Sequence, residues 1–219
     1  MTDTVSFGLA PLDSVDAQYI RQWRNDYSIW RWCRQSDFIS DVEQDNWFES
    51  QALDPSIRMY KVVRSTSGEL GTRTAGVCGF TSINMLSRHA EFSLYIAPDH
   101  QKKGCGKIAL ALLLAHGFSN LGFNMIWGEV IAGNPAMKLF KEIGFKLDGV
   151  RRHFYWKDGG LYDASIISIT AGEWDVRTNR ARGDNAQSGD NDISGLPDLG
   201  PEQAPNRAFD SADISDIQT

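Results

Sequence analysis

Residues 91–121 constrain the fold more than any other part of the chain. They predict a short strand, a glycine-containing turn and an amphipathic helix, in that order. The run from Glu91 to Ile96 is mostly aromatic and apolar, and Pro98 ends it. From position 107 to position 121 apolar residues recur at helical spacing, namely Ile108, Leu112, Ala115 and Phe118. We therefore expect a sheet with helices packed against it.

The turn between this strand and this helix predicts an anion site. Gly104 and Gly106 let the backbone approach a ligand closely, and the unpaired amides of the first helical turn then point outward. Lys102, Lys103 and Lys107 add positive charge at the same place. The spacing fits neither a Walker loop nor the dinucleotide fingerprint, which needs a third glycine. A plain glycine-rich surface turn is the alternative interpretation.

Composition excludes several classes of protein. The net charge of −6 comes from the strongly acidic last part of the chain, so the remainder is nearly neutral and has no basic surface typical of nucleic-acid binding. Cys33, Cys78 and Cys105 follow no pattern, which argues against a disulfide framework or a zinc site. No apolar run is long enough to span a membrane. These features favour a cytoplasmic protein.

The other elements predict helices first and a mixed sheet after them. Ser14 can cap a helix that runs to about Asp26, and a capping box at residues 40–43 begins a second helix. Strands are expected at residues 59–65, 73–83, 91–96, 124–130, 145–156 and 161–170, with a short helix between Asn134 and Gly144. We interpret the chain as an α/β protein, with one domain at residues 1–174 and a disordered acidic tail at residues 175–219.

The pattern of Gln101, Gly104 and Gly106 between a strand and an apolar helix resembles the acetyl-coenzyme A signature of the GNAT superfamily of N-acetyltransferases. Further motifs resemble the branch with ribosomal-protein N-terminal acetyltransferases and amino-sugar acetyltransferases, namely Trp23-Arg24-Asn25, Ile39-Ser40, Trp47-Phe48, Gly149-Val150-Arg151-Arg152 and Gly160-Leu161-Tyr162-Asp163. The last two either bind the acceptor or brace a hairpin. The resemblance, from about residue 7 to residue 170, implies a GNAT-like fold, a mostly antiparallel central sheet flanked by helices.

The resemblance also implies a site for acetyl-coenzyme A, the acetyl donor. In the family the amides of the turn hold the pyrophosphate of the coenzyme. The matching positions are Ile96, Gln101, Lys102, Lys103, Gly104, Cys105, Gly106 and Lys107. Asn134 resembles the family asparagine that meets the pantetheine arm, although a helix cap explains this residue as well. We expect no metal.

Acetyl transfer to an amine needs a group that takes a proton, and Glu91 is the first choice. On a strand Glu91, Ser93 and Tyr95 point to one side. A glutamate on this strand resembles the catalytic glutamate of histone-type members of the superfamily. A surface glutamate at the edge of a strand is the alternative. Glu129, near the end of the next strand, is the second choice.

The proton donor is less clearly defined by the sequence. Many members of the superfamily have a tyrosine four residues before the Gly-Phe pair that ends the second helix. Phe140 stands at that position here, ahead of Gly144 and Phe145. Three tyrosines could replace the missing hydroxyl, and they are Tyr95, Tyr155 and Tyr162. Protonation by water is the alternative.

These features predict an acetyl-coenzyme A-dependent N-acetyltransferase that modifies a primary amine by direct attack in a ternary complex. The acceptor is an amine of a small molecule, such as an amino sugar, or the α-amine of a protein. The nearly neutral folded part disfavours an amine on a nucleic-acid base. A module that binds acyl-coenzyme A without catalysis is the other alternative, and Phe140 favours it. A homodimer is compatible with the sequence.

Overall fold

The computed structural model describes residues 5–67 and 71–178, and a seven-stranded sheet dominates them. The strands are β1 (Val5–Pro11), β2 (Arg58–Thr66), β3 (Arg73–Asn84), β4 (His89–Ile96), β5 (Met125–Ile131), β6 (Lys146–Lys157) and β7 (Gly160–Thr170). They lie side by side in the order β1-β2-β3-β4-β5-β7-β6. Every neighbouring pair is antiparallel except β4 and β5, which run parallel. The predicted mixed, mostly antiparallel sheet is confirmed.

Helices cover both faces of the sheet. They are α1 (Ala17–Asn25), α2 (Tyr27–Trp30), α3 (Asp41–Leu53), α4 (Cys105–Ala115), α5 (Ala136–Ile143) and α6, formed by residues 171–178. The capping box predicted before α3 is present, because the Ser40 side chain accepts from the Glu43 amide and the Glu43 carboxylate accepts from the Ser40 amide. In the described part of the chain, each helix is too short or too polar to cross a membrane.

The alternation of side chains along β4 separates two layers. Phe92 points to the layer of α4 and α5, where its ring packs against Phe140 and Phe145. This layer contains the main core, with Leu110 and Leu113 of α4 fully buried. Residues that alternate with Phe92 on β4 point to the opposite layer, which contains α1 to α3. The apolar core therefore lies between the sheet and the helices α4 and α5, and the layer between the sheet and the helices α1 to α3 is more polar.

The centre of the sheet opens between β4 and β5. These strands form only three parallel pairs, which are His89–Met125, Ala90–Ile126 and Glu91–Trp127. Beyond the third pair, β4 continues along β3 alone and β5 continues along β7 alone. The two strands therefore separate and leave a cleft whose narrow end lies at Glu91.

Four elements differ from the sequence predictions. Ser14 does not cap α1, because it lies in a short 3-10 helix (Ser14–Asp16) that precedes the first residue of α1, Ala17. The structure adds β1, an edge strand in which Gly8 and Pro11 weaken the strand pattern, so the sheet has one strand more than expected. The helix predicted at positions 107–121 is instead α4, which begins at Cys105 and ends at Ala115, followed by a π-helical turn (His116–Asn120). The helix α6 extends past the expected boundary at residue 174, and its Trp174 is buried beside Phe118. The rest of the predicted acidic tail lies outside the described residues.

Candidate functional site

Two buried carboxylates lie where β4 and β5 separate. Glu91 is the last residue of β4 that pairs with β5, and Glu129 follows its partner Trp127 by two positions on β5. Each side chain is only 4% exposed. We call Glu91 and Glu129 the carboxylate pair. Because buried charges need partners, the groups around these carboxylates define the chemistry of the site.

Arg34 joins the two carboxylates. It lies in the loop between α2 and α3, and its Nη2 contacts Oε1 of Glu91 while its Nε lies 3.7 Å from Oε1 of Glu129. The hydroxyl of Thr81 donates to the second oxygen of Glu91 over 3.5 Å. The side chain of Arg34 is 54% exposed. The guanidinium therefore covers the carboxylate pair on the side that faces the solvent.

The β6–β7 hairpin supplies the other partners of Glu129. Nη1 of Arg151 lies 2.6 Å from Oε2 of Glu129, and the hydroxyl of Tyr155 donates to Oε1. Burial, together with this hydrogen bond, raises the pKa of Tyr155 to about 12. Tyr155 therefore keeps its proton at neutral pH and holds Glu129 in place.

Tyr95 is not in contact with the carboxylate pair. It shares a face of β4 with Glu91 but lies four residues, or about 13 Å, further along the strand. Burial raises the pKa of its hydroxyl above the usual value, and Arg24 of α1 opposes this shift. Tyr95 is therefore a neutral group in the polar layer, between the carboxylate pair and the turn at the end of β4.

Side-chain contacts fix the loop that carries Arg34. Gln35 accepts from Nε of Arg24 over 3.0 Å through its side-chain oxygen and donates to the Arg24 carbonyl over 3.2 Å. Further along, the side chain of Asn25 donates to the carbonyl of Ile39 and accepts from its amide, both over 2.8 Å. The part of the loop that follows Arg34 is thus tied to α1, and the freedom of this residue lies in its side chain.

The turn predicted to bind the coenzyme has the geometry of an anion site. Gly104 is in the left-handed region with φ of 79°, directly before α4. The first amides of α4 with a backbone acceptor are those of Lys107 and Ile108, both bonded to the Gly104 carbonyl. Within the described residues, the amides of positions 102–106 have no hydrogen-bond acceptor. Free amides at the start of a helix suit a phosphate.

The residues flanking these amides fall into two groups. Gln101 donates to the carbonyl of Ile96 over 3.1 Å and ties the turn to the end of β4. Three lysines around the glycines are exposed, and they are Lys102, Lys103 and Lys107. Cys105 is 3% exposed, so only its backbone can meet a ligand. A methyl group on Gly106 would lie 3.6 Å from Ile96 and from Leu139 of α5, in the space between β4 and α5.

Asn134 and Phe140 lie on the α5 side of the cleft. The side-chain oxygen of Asn134 accepts from the amide of Ala136 over 2.9 Å, so it begins α5 as a cap, and its amino group is left to donate elsewhere. Phe140 is 6% exposed, and its ring packs against Phe92. The position of the family tyrosine is therefore filled by an apolar side chain of the core.

The described residues contain no cluster of three or more histidine, cysteine, aspartate or glutamate side chains that could hold a metal ion. The expectation that the protein needs no metal stays a prediction.

Sequence reasoning missed the basic partners of the carboxylate pair. Arg34 reaches Glu91 across 57 positions of sequence, and no local pattern marks it among the tryptophan and arginine residues around it. Arg151 belongs to a motif whose role the sequence left open between acceptor binding and support of the hairpin. The register of β6 against β7, together with that of β7 against β5, places Arg151 on the side of Glu129. Contacts of this kind join distant parts of the chain, so they can be recognised only once the sheet is assembled.

Comparison with solved structures shows the same fold. A spermidine N-acetyltransferase from Vibrio cholerae, in complex with CoA and spermine, superposes with a TM-score of 0.71 and 24% identity, over 77% of this chain and 97% of that one. A spermidine/spermine N-acetyltransferase from the same organism, in complex with manganese ions, gives a TM-score of 0.63 at 22% identity, over 80% of this chain and 96% of that one.

Curated relatives and a family model extend this likeness to sequence. The spermidine N(1)-acetyltransferase of Escherichia coli (strain K12) is 28% identical over 170 residues, which are 77% of this chain and 88% of the relative. The ribosomal protein bS18-alanine N-acetyltransferase of the same strain is 32% identical over 86 residues, 39% of this chain and 57% of the relative. The model of the acetyltransferase (GNAT) domain matches residues 7–146. The chain therefore belongs to the GNAT acetyltransferases and is an N-acetyltransferase that uses acetyl-coenzyme A.

Proposed function

We propose that this enzyme acetylates a primary amine bound in the cleft between β4 and β5, by direct attack in a ternary complex. The observation that carries the proposal is the carboxylate pair at the narrow end of the cleft. Two buried carboxylates can bind an ammonium and take its proton. They lie on the strands that run toward the predicted coenzyme site, so an amine held there faces the donor.

Glu91 is the group that we assign to proton removal. It takes a proton from the bound ammonium, directly or through one water, and leaves the nitrogen lone pair free to attack the thioester carbonyl carbon. The carbon–nitrogen bond forms and the carbon–sulfur bond breaks. The nitrogen then gives its second proton to water, and the departing thiolate takes a proton from water or from Tyr95. Glu129, fixed by Arg151 and Tyr155, binds the acceptor rather than the proton in this assignment.

The turn at positions 101–107 and Asn134 would hold the coenzyme. When bound, acetyl-coenzyme A supplies the activated acetyl group. The free amides of residues 102–106 suit its pyrophosphate, and the exposed lysines of this turn suit its further phosphate. The amino group of Asn134 can donate to a carbonyl of the pantetheine arm. Gly106 lies beside Ile96 at the end of β4, where that arm would pass toward the cleft.

The acceptor class is open between a small-molecule amine and the α-amine of a protein. The names of the relatives point to spermidine in one case and to the amino-terminal alanine of a ribosomal protein in another. An amine on a nucleic-acid base is a weaker alternative, because the part of the chain outside its acidic end is nearly neutral.

Release of free coenzyme A tests the proposal. We expect a thiol reagent to report release from acetyl-coenzyme A only when a primary amine is present, with acetylated amine formed in equal amount. Coenzyme binding without amine-dependent release, measured by calorimetry beside the thiol assay, would support the acyl-coenzyme A-binding module instead.

The expected homodimer and cytoplasmic location also stay predictions. The support for a dimer is a group of large apolar side chains on the β6–β7 hairpin that are half exposed or more, namely Leu147, Val150, Trp156 and Leu161. Light scattering on the purified protein tests it. The support for a reducing compartment is that Cys33, Cys78 and Cys105 are all free thiols.

A further inference from the structure

The acceptor site is already neutralised by the protein itself. Glu91 and Glu129 carry two negative charges, and Arg34 and Arg151 carry two positive charges in contact with them. A site built for a polycation would leave carboxylates unpaired, because each ammonium of the ligand needs an acid of its own. Among the described residues, neither member of the carboxylate pair lacks a basic partner. The cluster as it stands has no spare negative charge to offer.

An acceptor ammonium must therefore exchange places with one of the two guanidinium groups. Both side chains are about half exposed, at 54% for Arg34 and 53% for Arg151, but Arg151 lies on β6 and also stacks over Phe154 at 4.9 Å, whereas Arg34 lies in a loop. Arg34 is thus the partner that can leave. A buried carboxylate such as Glu91 needs a cation beside it, so arrival of the ammonium and departure of the guanidinium have to be coupled.

Arg34 cannot move far when it is displaced. Its loop is tied to α1 through Gln35 and Asn25, so a change of side-chain rotamer moves the guanidinium while its backbone stays in place. The displaced group then lies at the mouth of the cleft, within one side-chain length of the acceptor nitrogen. A guanidinium there is unpaired, and it presents a planar fork that matches a carboxylate or a phosphate.

We infer that Arg34 makes the enzyme select acceptors that carry an anionic group close to the reacting amine. This inference rests on the proposed function and names its substrate class. The ammonium of such an acceptor replaces Arg34 on Glu91, and its carboxylate or phosphate pairs with the displaced guanidinium. Amino acids, acidic peptide amino termini and phosphorylated amino sugars share this chemistry. A diamine or polyamine would instead bring a second positive charge against Arg34.

A matched series of acceptors tests the inference. At each of several chain lengths, an ω-amino acid is compared with the diamine and the simple alkylamine of the same length, so that only the far end changes from carboxylate to ammonium to methyl. We expect kcat/KM to be at least about tenfold higher for the amino acid than for the diamine at the best length, with the alkylamine between them.

The variant Arg34→Gln should reverse this order. Loss of the guanidinium frees Glu91 for cations, so KM should fall for the diamine and rise for the amino acid, and the ratio of their kcat/KM values should change by at least about tenfold. Arg34→Lys should keep much of the preference. Arg31→Gln is the matched control, because Arg31 lies in the same loop but its guanidinium stacks over Tyr27 and Trp32 at 5.1 and 4.6 Å.

Two results would overturn the inference. Diamines that match or exceed the amino acids at every length, in the wild-type enzyme, would contradict it while leaving acetyl transfer intact. The absence of turnover with every amine of the series, despite coenzyme binding, would reject the proposed function together with it. If Arg34→Gln does not fold, the wild-type series and Arg34→Lys decide the outcome, and equal preference in these two proteins for all three end groups also rejects it.

Discussion

The ammonium of Lys157 lies 4.5 Å from the centre of the Trp30 ring and donates to the Trp30 carbonyl over 3.4 Å. It also donates to the carbonyl of Gln35, and burial lowers the pKa of Lys157. One lysine at the tip of the β6–β7 hairpin thus holds both ends of the segment that contains Arg34. The hairpin fixes Glu129 through Arg151 and Tyr155 and also fixes the loop above it.

Replacement of Lys157 should therefore affect stability and acceptor binding together. In Lys157→Met the carbonyls of Trp30 and Gln35 lose a buried donor, so the free energy of unfolding should fall by about 1–3 kcal/mol. KM for the amine should rise because the loop is no longer fixed, while coenzyme affinity stays unchanged. Urea unfolding and steady-state kinetics measure both effects. Lys138→Met, at a lysine whose side chain is 87% exposed, is the control. If the free energy of unfolding and KM were the same in Lys157→Met and Lys138→Met, the buried lysine would not hold the loop.

Glu91→Gln tests the assignment of the base. An amine with a pKa like that of lysine is almost fully protonated at neutral pH, so removal of the acceptor for its proton should lower kcat by roughly two to four decades. The defect should shrink as pH rises, since more amine then arrives already neutral. Coenzyme affinity should hardly change. Initial rates across a pH series measure this dependence. A loss independent of pH would indicate a structural role, and near-normal activity at neutral pH would transfer the role to Glu129.

Gly106→Ala separates coenzyme binding from folding. Its methyl group makes ordinary contacts of 3.6 Å with Ile96 and Leu139, and alanine favours a helix, so the melting temperature should stay the same or rise. Coenzyme affinity should fall by at least roughly tenfold, because the methyl group enters the space assigned to the ligand. Calorimetry measures the coenzyme affinity, and thermal unfolding measures the melting temperature.

The variant Gly104→Ala is the comparison for this experiment. Its methyl group meets no atom within 4 Å, but a φ of 79° strains alanine, so this variant should lose about 1 kcal/mol of stability. An unchanged coenzyme affinity in Gly106→Ala would remove the turn from the binding site.

Glu173→Gln tests the first turn of α6. The carboxylate pairs with Lys146 and accepts from the amide and the hydroxyl of Thr170, and these contacts, that of Lys146 first, lower the pKa of Glu173 from 4.5 to about 2. Because the folded pKa is depressed, this stabilisation is present above the unfolded pKa and is lost as pH falls from 4.5 toward 2. The variant should lose about 0.5–1 kcal/mol at neutral pH.

The acid dependence gives the control for this prediction. Over the same pH interval the stability of the variant should decline less steeply than that of the wild type, when both are measured by urea unfolding. Parallel curves would contradict the assignment of the shift to Glu173. The variant Lys146→Met removes the main partner and should reproduce most of the loss at neutral pH.

The sequence defines local elements better than their assembly. The capping box of Ser40 and Glu43, and the glycine of the turn before α4, are local signals, and the structure contains both. The strand β1 escaped prediction because it is an edge strand, and its partner β2 lies some fifty positions away. The helix α6 was not predicted, because its first turn follows β7 directly and Trp174 is its one large apolar side chain that is buried.

In the candidate site, too, residues on single strands could be predicted, whereas contacts between distant elements could not. Glu91 and Glu129 could be chosen from their places on adjacent strands, and the parallel pairing of β4 and β5 brings them together. The contacts of Arg34 and Arg151 depend on a loop and a hairpin that meet only in the folded chain. Phe140 was recognised as a departure from the family pattern, and its packing against Phe92 explains why an apolar residue is accepted there.

The early separation of β4 and β5 means that the sheet is incomplete in its middle. After the third pair, the inner edge of β4 carries backbone amides and carbonyls that have no neighbouring strand, although sheets normally confine such groups to their outer edges. An extended ligand with amide groups of its own can take the place of the missing strand. Its binding would then complete the sheet, and amides on the inner edge of residues 92–96 should exchange hydrogen more slowly when the coenzyme is bound.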